Sequence, residues 1–585
     1  MKYFLVLLFV GQWFNVTGQW HTVKDHLEGQ GWKSEIKDPF TRLPERVKDD
    51  VPTPLWNLSQ HSTGLMFRFR ASTSSITVRY QVSDQDYGMR HMPMIGKSGL
   101  DLYAISSDGQ ELWCAGKARF GDTIVYQFQK LDPNDRYHDQ GREYRLYLPP
   151  YNKVEWMEIK TDEGSYFEVL PAREDAPIVV YGTSIAQGAH ASRPGMIWPT
   201  ILSREMDRPL INLGFSGNGQ LSPAILNLMT EIDAKIYILD CLPNLGWWHW
   251  ERVGLKDSID LKNLVIKAVK ILHDSKPEVP ILLVEHAGYT EGQISSSRKE
   301  DYEVLNRMQK EAFIELRHKG LKHLYYLTRE EIGLSQDAMT DGTHPTDLGM
   351  YQYATAYERK VREILHEQEG VSSTSKPVRQ YREPGNYDWE KRHLEIIAMN
   401  KSEPPQQVFL ANSIVHFWGG EPEAKIAREA ETWNKHFTPS GLRNMAFGWD
   451  RIENVRWRVH HGALDGFEAE KVLVMIGTNN LHLNNDQEII EGLEYLLRDI
   501  TVRQPEAELI LMGLLPRRGY VDRIRLLNFK IAQLAANLNL VYKDVGHVFL
   551  SPDQSLNETL FSDGLHPNRE GYLKLSPFIQ EIVGH

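Results

Sequence analysis

Two serines in this chain stand at matching places, each followed at a distance by an acid and a histidine. Ser184 ends the apolar run Ile178-Val-Val-Tyr181 in Tyr181-Gly-Thr-Ser184-Ile, and Ser413 follows Val408-Phe-Leu-Ala411 in Ala411-Asn-Ser413-Ile. Roughly 150 residues later, about one domain length, come Asp341-Gly-Thr-His344-Pro and Asp563-Gly-Leu-His566-Pro. A serine hydroxyl is a poor nucleophile at neutral pH until an imidazole takes its proton, and the imidazole works best when a carboxylate fixes its tautomer and stabilises its cation. The Asp-x-x-His spacing lets acid and base come from one turn. A lone serine after a strand is ordinarily a helix N-cap and nothing more. Two serines with matched partners in the same order point instead to nucleophilic acyl transfer, with Ser184, His344 and Asp341 as one catalytic set and Ser413, His566 and Asp563 as the other.

The elements that must hold these groups are legible from periodicity. Between about Trp20 and Ala172, runs such as Ser75-Ile-Thr-Val-Arg-Tyr80 and Tyr144-Arg-Leu-Tyr-Leu148 alternate as half-buried strands do, which predicts a β-sandwich over 19–173. After Pro177 the strands become continuous apolar runs, Lys235-Ile-Tyr-Ile-Leu239 and Pro280-Ile-Leu-Leu-Val284 among them, separated by helix-length amphipathic stretches. That texture predicts a parallel α/β domain over 174–367 and, from Val408 through Lys471-Val-Leu-Val-Met-Ile476 and Glu508-Leu-Ile-Leu-Met512, a second over 407–585. The Gly, Ser and Pro signals between them predict a linker over 368–406. A serine placed directly after a buried strand has its hydroxyl at the carboxyl end of the sheet, where open α/β sheets bind ligands.

These blocks resemble the first and last blocks of the SGNH (GDSL-like) hydrolase superfamily. In the first unit, Asn212-Leu-Gly-Phe-Ser-Gly217-Asn is similar to that family's glycine block and Asp240-Cys-Leu-Pro-Asn244 to its asparagine block. In the second, Gly477-Thr-Asn479-Asn is similar to the asparagine block, and Asn444-Met-Ala-Phe-Gly448-Trp-Asp450 to the glycine block, with Trp449 where the glycine commonly sits. This last stretch, continued through Val455-Arg-Trp-Arg-Val459, resembles the platelet-activating-factor acetylhydrolase branch. The resemblance implies two three-layer α/β/α (flavodoxin-like) domains and an oxyanion hole formed by the serine N–H with Gly217 and Asn244, and in the second unit with Gly448 or Trp449 and Asn479. The family usually has Gly-Asp before its serine, whereas this chain has Gly182-Thr183 and Ala411-Asn412. Gly99-Leu-Asp101-Leu-Tyr103 fits a Gly-x-Asp-Leu-Tyr motif of sandwich domains that precede bacterial SGNH enzymes, and the architecture also resembles family 2 carbohydrate esterases.

Composition is that of a globular protein, 41% hydrophobic and 25% charged, and a net charge of −12 offers no basic field for nucleic acid. Lys2, the apolar run Phe4 to Val10 and Val16-Thr-Gly18 read as a signal peptide over 1–18 cleaved near Gly18, too short to span a membrane, so a secreted or periplasmic protein is expected. Only Cys114 and Cys241 occur, both in apolar contexts typical of core thiols. No metal-ligand spacing or phosphate loop appears, and no cofactor is required for this chemistry. Trp247, Trp248 and Trp250 directly follow Asn244 and are candidate substrate-binding residues. The expected function is a serine esterase removing acetyl or other short acyl groups from carbohydrates. A lipid or thioester hydrolase, and a glycan-binding protein with one or both hydrolase folds inactive, are the alternatives.

Overall fold

A computed structural model describes residues 19–134, 141–250, 254–382 and 387–584. The leader expected over 1–18 lies outside the described residues. The chain forms two compact units. The first holds two five-stranded antiparallel sheets followed by a five-stranded parallel sheet, and the second holds another five-stranded parallel sheet.

Alternation builds the sandwich. Along the strand Ser75–Val82 every second residue is buried, and Val78 and Tyr80 meet Phe67, Phe69 and Leu146 of the opposing sheet in one core. The Gly-x-Asp-Leu-Tyr motif enters the strand Asp101–Ile105, all of it buried. Asp101 uses its carboxylate to hold the first α/β domain: Oδ2 accepts the Gly195 N–H at 2.7 Å and Arg193 at 2.8 Å. The motif is therefore a joint between sandwich and hydrolase sheet. Burial of the Asp101 carboxylate is tolerable because it is paired with the half-buried Arg193 and hydrogen-bonded.

The first parallel sheet comprises β1 (Ile178–Gly182), β2 (Leu210–Gly214), β3 (Ile236–Asp240), β4 (Ile281–Val284) and β5 (Leu324–Leu327), in the order β2-β1-β3-β4-β5. The second comprises β6 (Gln407–Ala411), β7 (Leu442–Asn444), β8 (Lys471–Met475), β9 (Glu508–Met512) and β10 (Val541–Lys543), in the order β7-β6-β8-β9-β10. Both are flavodoxin-like, and the switch point beside the first strand places the binding crevice over its carboxyl end. The continuous apolar runs follow from burial on two faces. In the second unit Val408, Leu410, Val472 and Val474 face one core, while Phe409, Ala411, Leu473 and Met475 face the other.

The stretch 368–406 is not a linker in its described part. Trp389–Ser402 is a helix capped by the Asp388 side chain, with Trp389, Arg392, His393 and Ile396 buried, and Trp389 and Ile396 belong to the second unit's core. The Ser and Gly signals at 370–375 mark turns inside a packed extension rather than a tether, and Pro384-Gly385 lies outside the described residues.

At the end of β3, burial pushes the Asp240 carboxyl up to about 7 beside the Tyr357 hydroxyl. A raised folded-state pKa means that ionisation opposes folding: the stabilising contribution is complete below the ordinary carboxylate pKa and is lost as pH rises through about 7. Asp240→Asn should therefore raise the thermal midpoint relative to the parent by ~5 °C at pH 8, with less than about half that gain at pH 5. Melting curves at the two pH values check this, and an equal difference at both would contradict it.

Candidate active sites

Strands β1 and β6 each end in a turn that drops directly into one turn of helix, Ser184–Gln187 and Ser413–His416. The residue before each serine is the cap: Thr183 accepts the Ile185 N–H at 3.3 Å, and Asn412 accepts the Ile414 N–H at 3.0 Å. The two cap residues also share one backbone conformation, φ −101° and ψ −160° against φ −104° and ψ −157°. The replacement of the usual acid by Thr or Asn keeps the capping acceptor.

The Asp-x-x-His blocks form the same turn twice. Asp341 Oδ1 accepts the Thr343 and His344 N–H groups at 3.1 and 2.8 Å, and its Oδ2 lies 2.8 Å from His344 Nδ1. Asp563 Oδ1 accepts the Leu565 and His566 N–H groups at 2.9 and 2.8 Å, with Oδ2 at 2.7 Å from His566 Nδ1. The intervening Gly342 and Gly564, at φ +81° and +80°, supply the left-handed step that this turn requires. The other imidazole nitrogen, Nε2, lies 2.8 Å from Ser184 Oγ in the first unit and 2.8 Å from Ser413 Oγ in the second. Burial opposes ionisation of both carboxylates, but the turn N–H groups and the imidazole outweigh it and hold Asp341 and Asp563 near 2. Burial lowers His566, more than Asp563 restores, with Arg428 and Arg517 adding to the lowering. Each arrangement can pass a proton from hydroxyl to imidazole.

The loops after β2 and β7 carry the candidate oxyanion donors. Gly217 is left-handed at φ +67° and borders open space. Trp449 stands in the corresponding place at φ +64°, a conformation costing a side chain about 1–2 kcal/mol. Asn244 Oδ1 accepts the Gly219 N–H at 3.1 Å, and Asn479 Nδ2 donates to the Asp450 carbonyl at 3.0 Å. Gly448 departs from the expectation: its N–H is committed to His416 Nδ1 at 3.0 Å. The reason is a buried acceptor one turn after the serine, and the first unit repeats it, with the Ser216 N–H given to Gln187 Oε1 at 2.9 Å. Gln187 and His416 stand at the same offset from their serines, a signal that only comparison of the two halves would have raised.

The surroundings of the two imidazoles differ. His190 lies 4.7 Å from the His344 ring, with its Nε2 3.7 Å from Asp341 Oδ2, whereas Phe417 lies 5.5 Å from the His566 ring. His190, Asp341 and His344 bring metal-competent atoms within 4.8 Å of one another. Both His344 nitrogens are already hydrogen-bonded, Nδ1 to Asp341 and Nε2 to Ser184, so an ion there would break one of these two bonds. Trp247 and Trp248 are exposed at 65% and 39%, set edge to face at 5.8 Å, while Trp250 is half-buried with its indole donating to the Leu245 carbonyl at 2.9 Å.

Parallel flavodoxin-like sheets with a serine elbow and a late Asp-x-x-His turn define a class of serine hydrolase. Residues 175–362 and residues 412–574 each match the GDSL-like lipase/acylhydrolase family, and residues 12–167 match the N-terminal domain of SGNH-hydrolase-type esterases. The chain belongs to this SGNH hydrolase family and carries its fold twice. It is 29% identical over 206 residues to platelet-activating factor acetylhydrolase IB subunit alpha2 of Homo sapiens, covering 34% of this chain and 85% of that protein. Subunit alpha1 of Rattus norvegicus is 27% identical over 220 residues, covering 37% and 90%. A solved structure described as a GDSL-like lipase from Bacteroides ovatus superposes with a TM-score of 0.53 at 27% identity, covering 60% of this chain and 98% of that one.

An imidazole that must be neutral to accept a proton keeps working down to its own pKa, and His566 sits below the ordinary 6.5. In a Ser184→Ala variant, fluorophosphonate labelling of Ser413 should therefore lose half its rate at a pH below 6.5. A midpoint above 7 would contradict the environment described for His566.

Proposed function

We propose that the protein is a secreted esterase with two active sites that removes acetyl or similarly short acyl groups from carbohydrates. The observation that carries this reading is the twofold arrangement of hydroxyl, imidazole and carboxylate, with the same spacing and the same hydrogen-bond order in both units. Serine Oγ attacks the ester carbonyl while imidazole Nε2 takes its proton. The tetrahedral oxyanion is held by the serine N–H with Gly217 and Asn244 in the first site, and with Trp449 and Asn479 in the second. The imidazolium then gives its proton to the departing sugar oxygen, and water, activated by the same imidazole, releases the acid from the acyl-enzyme. Removing one such donor costs on the order of 3 kcal/mol in such reactions.

Short acyl groups suit a site that has a tryptophan, Trp449, at the oxyanion position in place of glycine. Carbohydrate as the alcohol part is supported by Trp247 and Trp248, which expose flat apolar faces three and four residues beyond Asn244. Secretion is read from the first 18 residues alone. The relatives named as acetylhydrolases favour acetyl as the group removed, and they keep an acetylated lipid as the second reading.

Release of acetate from acetylated oligosaccharides tests the proposal. Ser184→Ala and Ser413→Ala should each leave one site working, and the double variant should fall by about 10³-fold or more. Parental rates in the double variant would end the reading. Trp247→Ala with Trp248→Ala should raise KM for the oligosaccharide about five-fold and leave KM for a small aryl acetate unchanged. If instead acetylated lipids are turned over far faster than any glycan, the carbohydrate assignment fails while the esterase assignment stands.

A further inference from the structure

Each unit buries an arginine that has no carboxylate partner among the described residues. Arg42, in the segment between the first sandwich strand and Met66–Ala71, is 1% exposed. Its guanidinium donates to the carbonyls of Asn212 at 3.0 Å and Gly214 at 2.9 Å, and also to Leu58 at 2.6 Å and His61 at 3.1 Å. Arg392, on the helix Trp389–Ser402, is 5% exposed. It donates to the carbonyls of Asn444 at 3.4 Å and Ala446 at 3.2 Å, and to Pro422 at 2.5 Å. Asn212 and Gly214 in the first unit correspond to Asn444 and Ala446 in the second. Both asparagines turn their own side chains the same way, Asn212 Oδ1 accepting from Gly214 and Asn444 Oδ1 from Ala446. Each guanidinium also lies over the next aromatic ring, Arg42 at 4.7 Å from Phe215 and Arg392 at 5.2 Å from Phe447.

A buried guanidinium whose hydrogen bonds all go to carbonyls costs several kcal/mol against its hydrated state, so its recurrence against the same two carbonyls calls for a use. Neither arginine lies within 175–362 or 412–574, the two hydrolase matches, and Arg42 lies within 12–167, the match to the N-terminal domain. Two unrelated segments, one within the N-terminal domain and one a helix just ahead of the sheet, deliver the same group to the same place. The place is the chain immediately before Gly217 and Trp449. Fixing the carbonyls of the strand end fixes the peptide planes that follow, and the next N–H is locked as well, on Gln187 in one unit and on His416 in the other. On the far side Tyr387 donates to the Gly448 carbonyl at 2.7 Å, and Tyr151 donates to the Ser184 carbonyl at 3.3 Å.

The geometry points to Arg42 and Arg392 as positioning residues that aim the oxyanion N–H groups of the two sites, each supplied from outside the hydrolase fold that it serves. They touch no substrate. Their contribution is made through the loop, so it appears in the transition state and not in substrate binding. Lysine cannot replace them, because a single ammonium on a flexible stem does not hold two carbonyls and stack on a ring. The inference rests on the serine–imidazole reading of the sites.

The test measures one site at a time. In a Ser413→Ala background, Arg42→Lys should lower kcat for an aryl acetate at least ten-fold with KM changed less than two-fold, and should weaken a boronic acid that forms a tetrahedral adduct with Ser184 by the same factor. Arg392→Lys in a Ser184→Ala background should behave likewise. A folded Arg42→Lys protein with parental kcat and boronate affinity would overturn the proposal. If that variant does not fold, Phe215→Leu takes its place, since it removes the stacked ring and no hydrogen bond. A smaller loss confined to kcat supports the clamp, and unchanged kcat ends it. Absence of turnover and boronate binding in the Ser413→Ala parent itself would instead sink the reading of the site.

Discussion

One carboxylate divided between two tasks governs each half of the hydrolase. With Oδ1 it closes its own turn onto the backbone N–H of the histidine, and with Oδ2 it holds that histidine's Nδ1. The imidazole is thereby fixed in one tautomer with Nε2 facing outward. The serine has only to appear at the correct height, and it does so because a buried parallel strand delivers it to the sheet's carboxyl edge with a capped turn beneath it. Everything else in either domain, from the layered cores to the clamped loops, keeps these two deliveries in register to within hydrogen-bond reach.

The two halves are alike where bond-making geometry is at stake and unlike around it. Cap, elbow, Asp-x-x-His turn, asparagine in the second strand and the left-handed conformation at the candidate oxyanion position all recur. The neighbours of the imidazole do not: a second histidine stands beside His344, a phenyl ring beside His566. The residue type at the candidate oxyanion position also differs, glycine in one and tryptophan in the other. Such differences leave the hydroxyl–imidazole–carboxylate geometry common to both sites while giving the two imidazoles different neighbours.

Much of this was legible in the residues. Continuous apolar runs gave the parallel strands, because a strand buried on both faces has no polar side to show, and alternation gave the sandwich. The paired blocks led to the serines, acids and histidines that the fold brings together. What could not be read depends on distance in sequence. Arg42 looks like any surface arginine until β2 is seen to pass over it, and Gln187 and His416 share no chemistry except a lone pair aimed at a backbone N–H. Gly448 was expected to donate to substrate and instead donates to His416, a substitution of partner that spacing alone does not encode. The segment 368–406 has the Gly, Ser and Pro of a tether, yet Trp389 and Ile396 carry enough apolar surface to pull its helix into the second core.

The central claim is that acyl transfer passes through Ser184 and Ser413. Rapid quenching during turnover of an acetylated substrate, followed by digestion and mass measurement of the peptides, tests it directly. The account predicts acetyl groups on the two peptides that contain those serines. Steady release of acetate with neither peptide ever acylated would contradict it.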